Sequence, residues 1–145
     1  MRYFDTSFLM PIFLAEAFSN RAEKILSQQP VGKAAISHWT RVEFCSALAR
    51  QVRAEGMSFE TAAEIDSAFD LFIEKSFVIV SPTTADFELA RTFLRRYETG
   101  LRSADALHLA IASNHRAEAI YSLDRGLLRA GRLLGLPVSD GRQSA

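Results

Sequence analysis

The chain has 145 residues, the size of one domain, and 48% of them are hydrophobic, which excludes a disordered polypeptide. Formal net charge is zero, which excludes a uniformly basic nucleic-acid surface, although residues 1–90 carry eight Lys/Arg against twelve Asp/Glu and residues 91–145 carry nine Arg against five Asp/Glu. No apolar run reaches the length of a membrane span, the start lacks the order of a signal peptide, and the single Cys45 can form neither an internal disulfide nor a cysteine metal site, so a cytoplasmic protein is expected.

In chain order, Arg2–Asp5 reads as a strand, followed by a helix from Thr6-Ser7 toward Phe18 with Pro11 in its early turns. Ser19–Gln29 reads as a second helix closed by Pro30, and Lys33–Ser37 as a short buried strand. His38–Glu55 is helical up to Gly56, with Val42, Cys45, Ala49 and Val52 recurring at helical spacing. Ser58 caps a helix running to about Ser76, with Ile65, Phe69, Phe72 and Ile73 as its apolar stripe. Phe77–Val80 is a strand stopped by Ser81-Pro82, and Thr84–Tyr97 an amphipathic helix ended before Gly100. Ser103–His115, with Ser103 as candidate cap, is apolar nearly all round and belongs at the centre of a domain. Ala119–Leu123 is a strand, Arg125–Leu134 a helix and Pro137–Ser139 a last short strand, so residues 1–140 form one domain with a frayed tail over 141–145.

Strands that alternate with helices imply an α/β fold, a parallel sheet covered on both faces, whose ligands bind beyond the carboxyl ends of the strands. Four acids fall at that edge. Asp5 ends the first strand, and Asp124 follows the strand ending at Leu123. Asp105 lies in the first turn of the buried helix, and Glu43 one turn into the helix after the second strand. Crowded carboxylates repel one another, and a divalent cation with a preference for oxygen ligands, Mg²⁺ or Mn²⁺, removes the conflict. Metal-assisted phosphodiester hydrolysis follows most directly from such a centre.

Each acid also has a plainer role open to it. Asp5 and Asp124 suit helix caps, Asp105 suits a helix dipole, and Glu43 suits a solvated face. Thr6, Ser7 and Ser122 could orient carboxylates through their hydroxyls or serve as caps and turns. His108, one turn after Asp105, could face the site but reads as a packed core histidine; Trp39, Cys45 and the Phe residues read as core, and His38 as structural. Only three of the 17 basic residues are Lys, and the planar guanidinium matches phosphate oxygens, which makes Arg96, Arg102 and Arg125 the candidates for substrate contact.

At these residues the sequence resembles the PIN-domain ribonucleases, in particular VapC-like toxins of type II toxin–antitoxin pairs. Tyr3-Phe4-Asp5-Thr6-Ser7 resembles the opening strand. Thr40-Arg41-Val42-Glu43 with Ala47-Leu48 resembles the helix bearing the second acid. The run from Leu101 to Ala110, containing Ser103-Ala104-Asp105-Ala106-Leu107-His108, is the most specific match. Ser122-Leu123-Asp124, Leu128, Ala130-Gly131 and Leu136-Pro137-Val138 resemble the closing segment, and Ser122 stands where Thr is frequent. The likeness spans residues 2 to 138. It implies a three-layer α/β/α sandwich with a five-stranded parallel sheet, and Mg²⁺ or Mn²⁺ at Asp5, Glu43, Asp105 and Asp124. It also implies RNA cleavage, a homodimer and a cognate antitoxin. Two other classes compete. An aspartyl-phosphate phosphatase would use Asp5 as nucleophile but expects an acid where Ser7 stands. A non-catalytic interaction module would use the acids as a metal- or Arg-binding patch.

Overall fold

The computed structural model describes residues 1–14 and 19–142. The strands β1 (Arg2–Phe4), β2 (Ala34–Ser37), β3 (Val78–Val80), β4 (Ala119–Tyr121) and β5 (Val138–Ser139) form one sheet in the order β3-β2-β1-β4-β5. Every pairing is parallel. The helices are α1 (Thr6–Leu14), α2 (Ser19–Ser27), α3 (His38–Glu55), α4 (Phe59–Ser76), α5 (Thr84–Leu94), α6 (Ser103–Asn114) and α7 (Arg125–Leu133). The strand order runs 2-1 to one side and 4-5 to the other, so the topology switches between β1 and β4.

Alternation along β1 builds the two cores. Tyr3 packs into a cluster with Ala90, Leu107, Leu109, Ile111 and Leu127, from α5, α6 and α7. Phe4 points the other way, among Phe8, Leu9, Ala22, Phe44, Phe69 and Ile73, from α1 to α4. The sheet thus carries a helical layer on each face, as expected. The helix α6 is buried at every position from Ala106 to Ala112, which its lack of a polar face requires. Among the described residues no helix is long and apolar enough to cross a membrane.

Several local expectations need correction. The stripe Val42, Cys45, Ala49, Val52 is not the inner face of α3: Val42 is 57% exposed and Cys45 is exposed, whereas Thr40, Phe44, Ala47 and Leu48 are buried. Both sets recur at helical spacing, and contact with the sheet and α4 chooses the one containing Phe44. Phe59 and Phe87 are 82% and 52% exposed, so they are not core, and Trp39 is only partly buried. The helix expected over Thr84–Tyr97 ends at Leu94 and gives way to a 3-10 turn at Tyr97–Thr99, closed by Gly100 with φ +66°. Ser103 is the first helical residue of α6; the capping position is Arg102, which makes no side-chain cap. The continuation of α1 to Phe18 lies outside the described residues, as do residues 143–145 of the expected frayed tail. Gly141 and Arg142 are bonded back to Ser139 and Asp140.

Candidate active site

Asp5 leaves β1 at the switch point and is buried. Its Oδ1 accepts from the Ser7 hydroxyl at 2.7 Å and the Phe8 N–H at 3.1 Å, and its Oδ2 accepts from the Ser122 hydroxyl at 2.5 Å. The bond from Phe8 makes Asp5 the cap of α1 as well, so the plain role and the site role coexist. Ser7 accepts from the Leu123 N–H at 2.8 Å and Ser122 from the Asp124 N–H at 3.0 Å, which ties the ends of β1 and β4 together. A hydroxyl has one proton. With both committed to Asp5, the 3.1 Å contact between Ser7 and Ser122 has none to share. Burial raises the Asp5 carboxyl, and His108, the two hydroxyls and the Phe8 N–H oppose that rise without cancelling it.

Glu43 approaches from α3. Ser37 and Thr40 form a reciprocal cap at its start, and the Trp39 indole donates to the Ala104 carbonyl at 3.3 Å, which locks the first turn of α3 to that of α6. Glu43 Oε1 accepts from the Thr6 hydroxyl at 2.6 Å and from His108 Nε2. The other ring nitrogen, Nδ1, lies 2.8 Å from the Tyr3 hydroxyl, which in turn meets Ser37 Oγ at 2.9 Å. Burial works to raise the Glu43 carboxyl, but the His108 bond and charge and the Thr6 hydroxyl outweigh it and hold it below the ordinary range. An ionised carboxylate only accepts, so the proton of the Glu43–His108 bond sits on Nε2. His108 is therefore both buried, as expected of a core residue, and bonded to a site acid. Tyr3 and Ser37 were not among the expected site residues. The only signal in the sequence was a tyrosine in a central strand, whose hydroxyl must find a partner when buried.

Asp105 and Asp124 complete the group. Asp105 projects from the first turn of α6, while Asp124 is exposed and caps α7 through the Leu127 N–H at 2.8 Å, using Oδ1. Burial first, then the charges of Asp124, Asp5 and Glu43, push the Asp105 carboxyl up to about 6, against the pull of His108. Asp105 therefore feels the charges of the other three expected acids at the carboxyl end of the sheet. Among the described residues no group of three or more His, Cys, Asp or Glu side chains is placed so that it could hold a metal ion as it stands. Both Asp5 oxygens and Glu43 Oε1 are turned toward internal hydrogen-bond donors. The fit to a divalent cation is one of donor type and charge: hard carboxylate oxygens, with Asp105 in no ion pair with another described residue and Asp124 open to solvent.

Two clefts meet at Asp124. One of about 270 Å³ is lined by Arg102 and Arg125 together with Asp105 and Asp124, which brings two of the three candidate arginines to the acids. The third, Arg96, pairs with Glu98 beside the 3-10 turn and lines neither cleft, because its neighbour two residues on satisfies it locally. The other cleft, of about 520 Å³, runs from Ser7 and Asp124 along α3 to Arg50 and Glu55.

The family model described as PIN domain matches residues 2–133. Among solved structures, the chain is similar to the sarcin–ricin-loop-cleaving toxin VapC20 of Mycobacterium tuberculosis, at 20% identity and TM-score 0.70, over 90% of this chain and 95% of that one. It is similar to a chain of a toxin–antitoxin complex from Klebsiella pneumoniae at 21% identity and TM-score 0.68, over 99% and 100%. FitAcB from Neisseria gonorrhoeae aligns at 15% identity and TM-score 0.74, over 97% and 98%. No curated protein sequence matches. The sheet order, the acids at its switch point and a family match over nearly the whole length agree: this chain belongs to the PIN-domain family.

Proposed function

We propose that the protein is an Mg²⁺- or Mn²⁺-dependent endoribonuclease that hydrolyses RNA phosphodiester bonds, and that it is the toxin of a toxin–antitoxin pair. The observation that carries this reading is the placement of Asp105, a half-buried carboxyl that faces the charges of Asp124, Asp5 and Glu43 and lines the arginine-bearing cleft, which meets the larger cleft at Asp124. Family membership supports nuclease chemistry, and the toxins among the structural relatives support the biological setting. Asp5, Glu43, Asp105 and Asp124 would hold the cation, which when bound supplies activation of water and polarisation of the phosphoryl oxygen. The chain's own groups fix the donors. Ser7 and Ser122 fix Asp5, and Thr6 and His108 fix Glu43. Arg102 and Arg125 draw the phosphate to the edge where Asp105 and Asp124 stand. An antitoxin and a second copy of the chain are the partners this reading includes.

The test is cleavage of RNA by purified protein in Mg²⁺ or Mn²⁺, lost in excess chelator and restored by either ion. Millimolar cation is also expected to raise the melting temperature in proportion to its affinity for the folded state. RNA left intact with both ions, and a melting temperature indifferent to them, would sink the proposal.

The role given to His108 has its own expected result. Leu at this position fills the space but gives Glu43 no donor, so His108→Leu is expected to weaken Mn²⁺ binding by about 10- to 100-fold. His108→Gln carries an amide N–H in the place of Nε2–H and is expected to recover most of it. Calorimetric titration of the two variants checks this. Equal affinity in His108→Leu and wild type would reduce His108 to a packing residue.

A further inference from the structure

The larger cleft beside the acids has a polar wall that neither the acids nor Arg102 and Arg125 explain. The residues of α3 that line this cleft are Ala47, one turn after Glu43, and Arg50 and Gln51, two turns after it. Ala47 is small and buried, so the floor is low there and the groove stays open between Asp124 and Arg50. Arg50 is exposed and has no hydrogen bond or ion pair with the other described residues, in contrast to Arg41, Arg91 and Arg96, which are each held by an acid. A guanidinium with no partner among the described residues, at the wall of a groove that starts beside the acids, is available for an anionic ligand. The opposite wall comes from Ser7, Met10 and Leu123, so the groove opens directly onto the ends of β1 and β4.

We infer that Arg50, with Gln51 beside it, is a binding subsite for the sugar–phosphate backbone of RNA, on the side of the cleavage point opposite Arg102 and Arg125. The seven residues from Glu43 to Arg50 advance about 10 Å along the helix, the span of about three nucleotides of a stacked strand at roughly 3.4 Å each. The strand would then run from the Arg102–Arg125 cleft, over the acids, and along α3 to Arg50, with Asp124 common to both clefts. Glu55, one turn beyond Arg50 and exposed, repels phosphate and marks the end of the favourable track. The inference rests on the ribonuclease reading and adds a contact residue and a direction to it.

The test begins with a randomised single-stranded RNA of about 20 nucleotides and wild-type protein in Mn²⁺, with sequencing to fix the preferred cut. Oligonucleotides carrying that cut are then shortened stepwise from each end and assayed with wild type, Arg50→Ala and Arg50→Lys, with Arg53→Ala as a control on the same helix. On the long substrate Arg50→Ala is expected to raise KM about tenfold with kcat nearly unchanged, and to flatten the salt dependence by about one phosphate contact. Arg50→Lys should recover part of the loss. Once the substrate is cut back past about the third nucleotide on one side, wild type and Arg50→Ala should become equal, which a merely structural effect would not produce. Cleavage by Arg50→Ala equal to wild type at every length overturns the inference and leaves the groove to a protein partner. The same loss at every length overturns it too. If wild type leaves the random pool intact, the ribonuclease reading itself fails and takes this inference with it.

Discussion

Asp105→Asn is expected to lower RNA cleavage by about a thousandfold or more while making the cation-free protein more stable at neutral pH. The two effects have one origin. In the folded chain the Asp105 carboxyl is raised from its ordinary 3.8 to about 6, by burial and then by Asp124, Asp5 and Glu43. The folded state therefore binds this proton more tightly than the unfolded chain does. The stability so gained is complete below pH 3.8 and is lost as pH climbs through 6. Were the group sealed from water, the full shift would be worth about 3 kcal/mol; with part of its surface open to solvent, about 1–2 kcal/mol is the expected penalty at pH 7.5. Asn carries no charge and escapes the penalty. The difference in melting temperature between variant and wild type should be near zero at pH 4 and reach several degrees at pH 7.5, measured in chelator. Saturating Mg²⁺ or Mn²⁺ should shrink or reverse it, because only wild type keeps the full carboxylate set.

Asp5→Asn makes an informative contrast. Its activity loss should be similar, yet its stability should change little. An amide nitrogen in the place of Oδ2 donates to Ser122, whose own proton then turns to Ser7 across the 3.1 Å contact left unshared in the wild type. The amide oxygen in the place of Oδ1 keeps the bonds from Ser7 and from the Phe8 N–H, so every wild-type donor keeps an acceptor, while the second amide N–H is an added donor whose cost offsets the relief of a buried charge. A variant pair that is inactive but at least as stable as wild type separates function from folding. Full activity in Asp105→Asn would remove this acid from the centre.

The acids were legible in the sequence because each sits at a junction that local chemistry marks. Asp5 follows a strand and opens a helix, and Asp124 does the same, so the residue type that caps a helix is also the one placed at the sheet edge. Alternation of strands and helices then supplied the common edge. The rotation of α3 was not legible. Val42, Cys45, Ala49 and Val52 obey the helical period as well as Phe44, Ala47, Leu48 and Gln51 do, and only the partner surface decides between them. Arg50 was hidden for the same reason, since its place two turns after Glu43 has meaning only once the inward face is known. The bond between His108 and Glu43 joins residues 65 apart in the chain, and no local spacing announces it. The break before Tyr97 was missed because Arg96, Tyr97 and Glu98 are tolerable in a helix, whereas the turn is closed by bonds from Thr99 to the Arg96 carbonyl.

The face that α3 turns inward can be challenged directly. Phe44→Ala is expected to destabilise the protein by about 3–5 kcal/mol, and also to weaken cation binding and cleavage, although Phe44 has no polar side-chain atom to bond to the acids. Phe44 is fully buried, stacks on Phe69 with ring centroids 3.8 Å apart and planes 5° from parallel, and meets the edge of Phe13 at 5.5 Å. It is the plug that sets the rotation of α3, and Glu43 precedes it by one residue, about 100° around the helix. With the plug gone, the helix relaxes toward the cavity, and the direction in which Glu43 meets Thr6 and His108 relaxes with it. Phe44→Leu fills most of the space and should cost less in both measures. Denaturant unfolding gives the first quantity, and Mn²⁺ calorimetry at low temperature, where the variant is still folded, gives the second. Stability lost with cation affinity intact would show that the Ser37–Thr40 cap and the Trp39 bond to Ala104 hold Glu43 in place by themselves, and that the aromatic stack serves the fold alone.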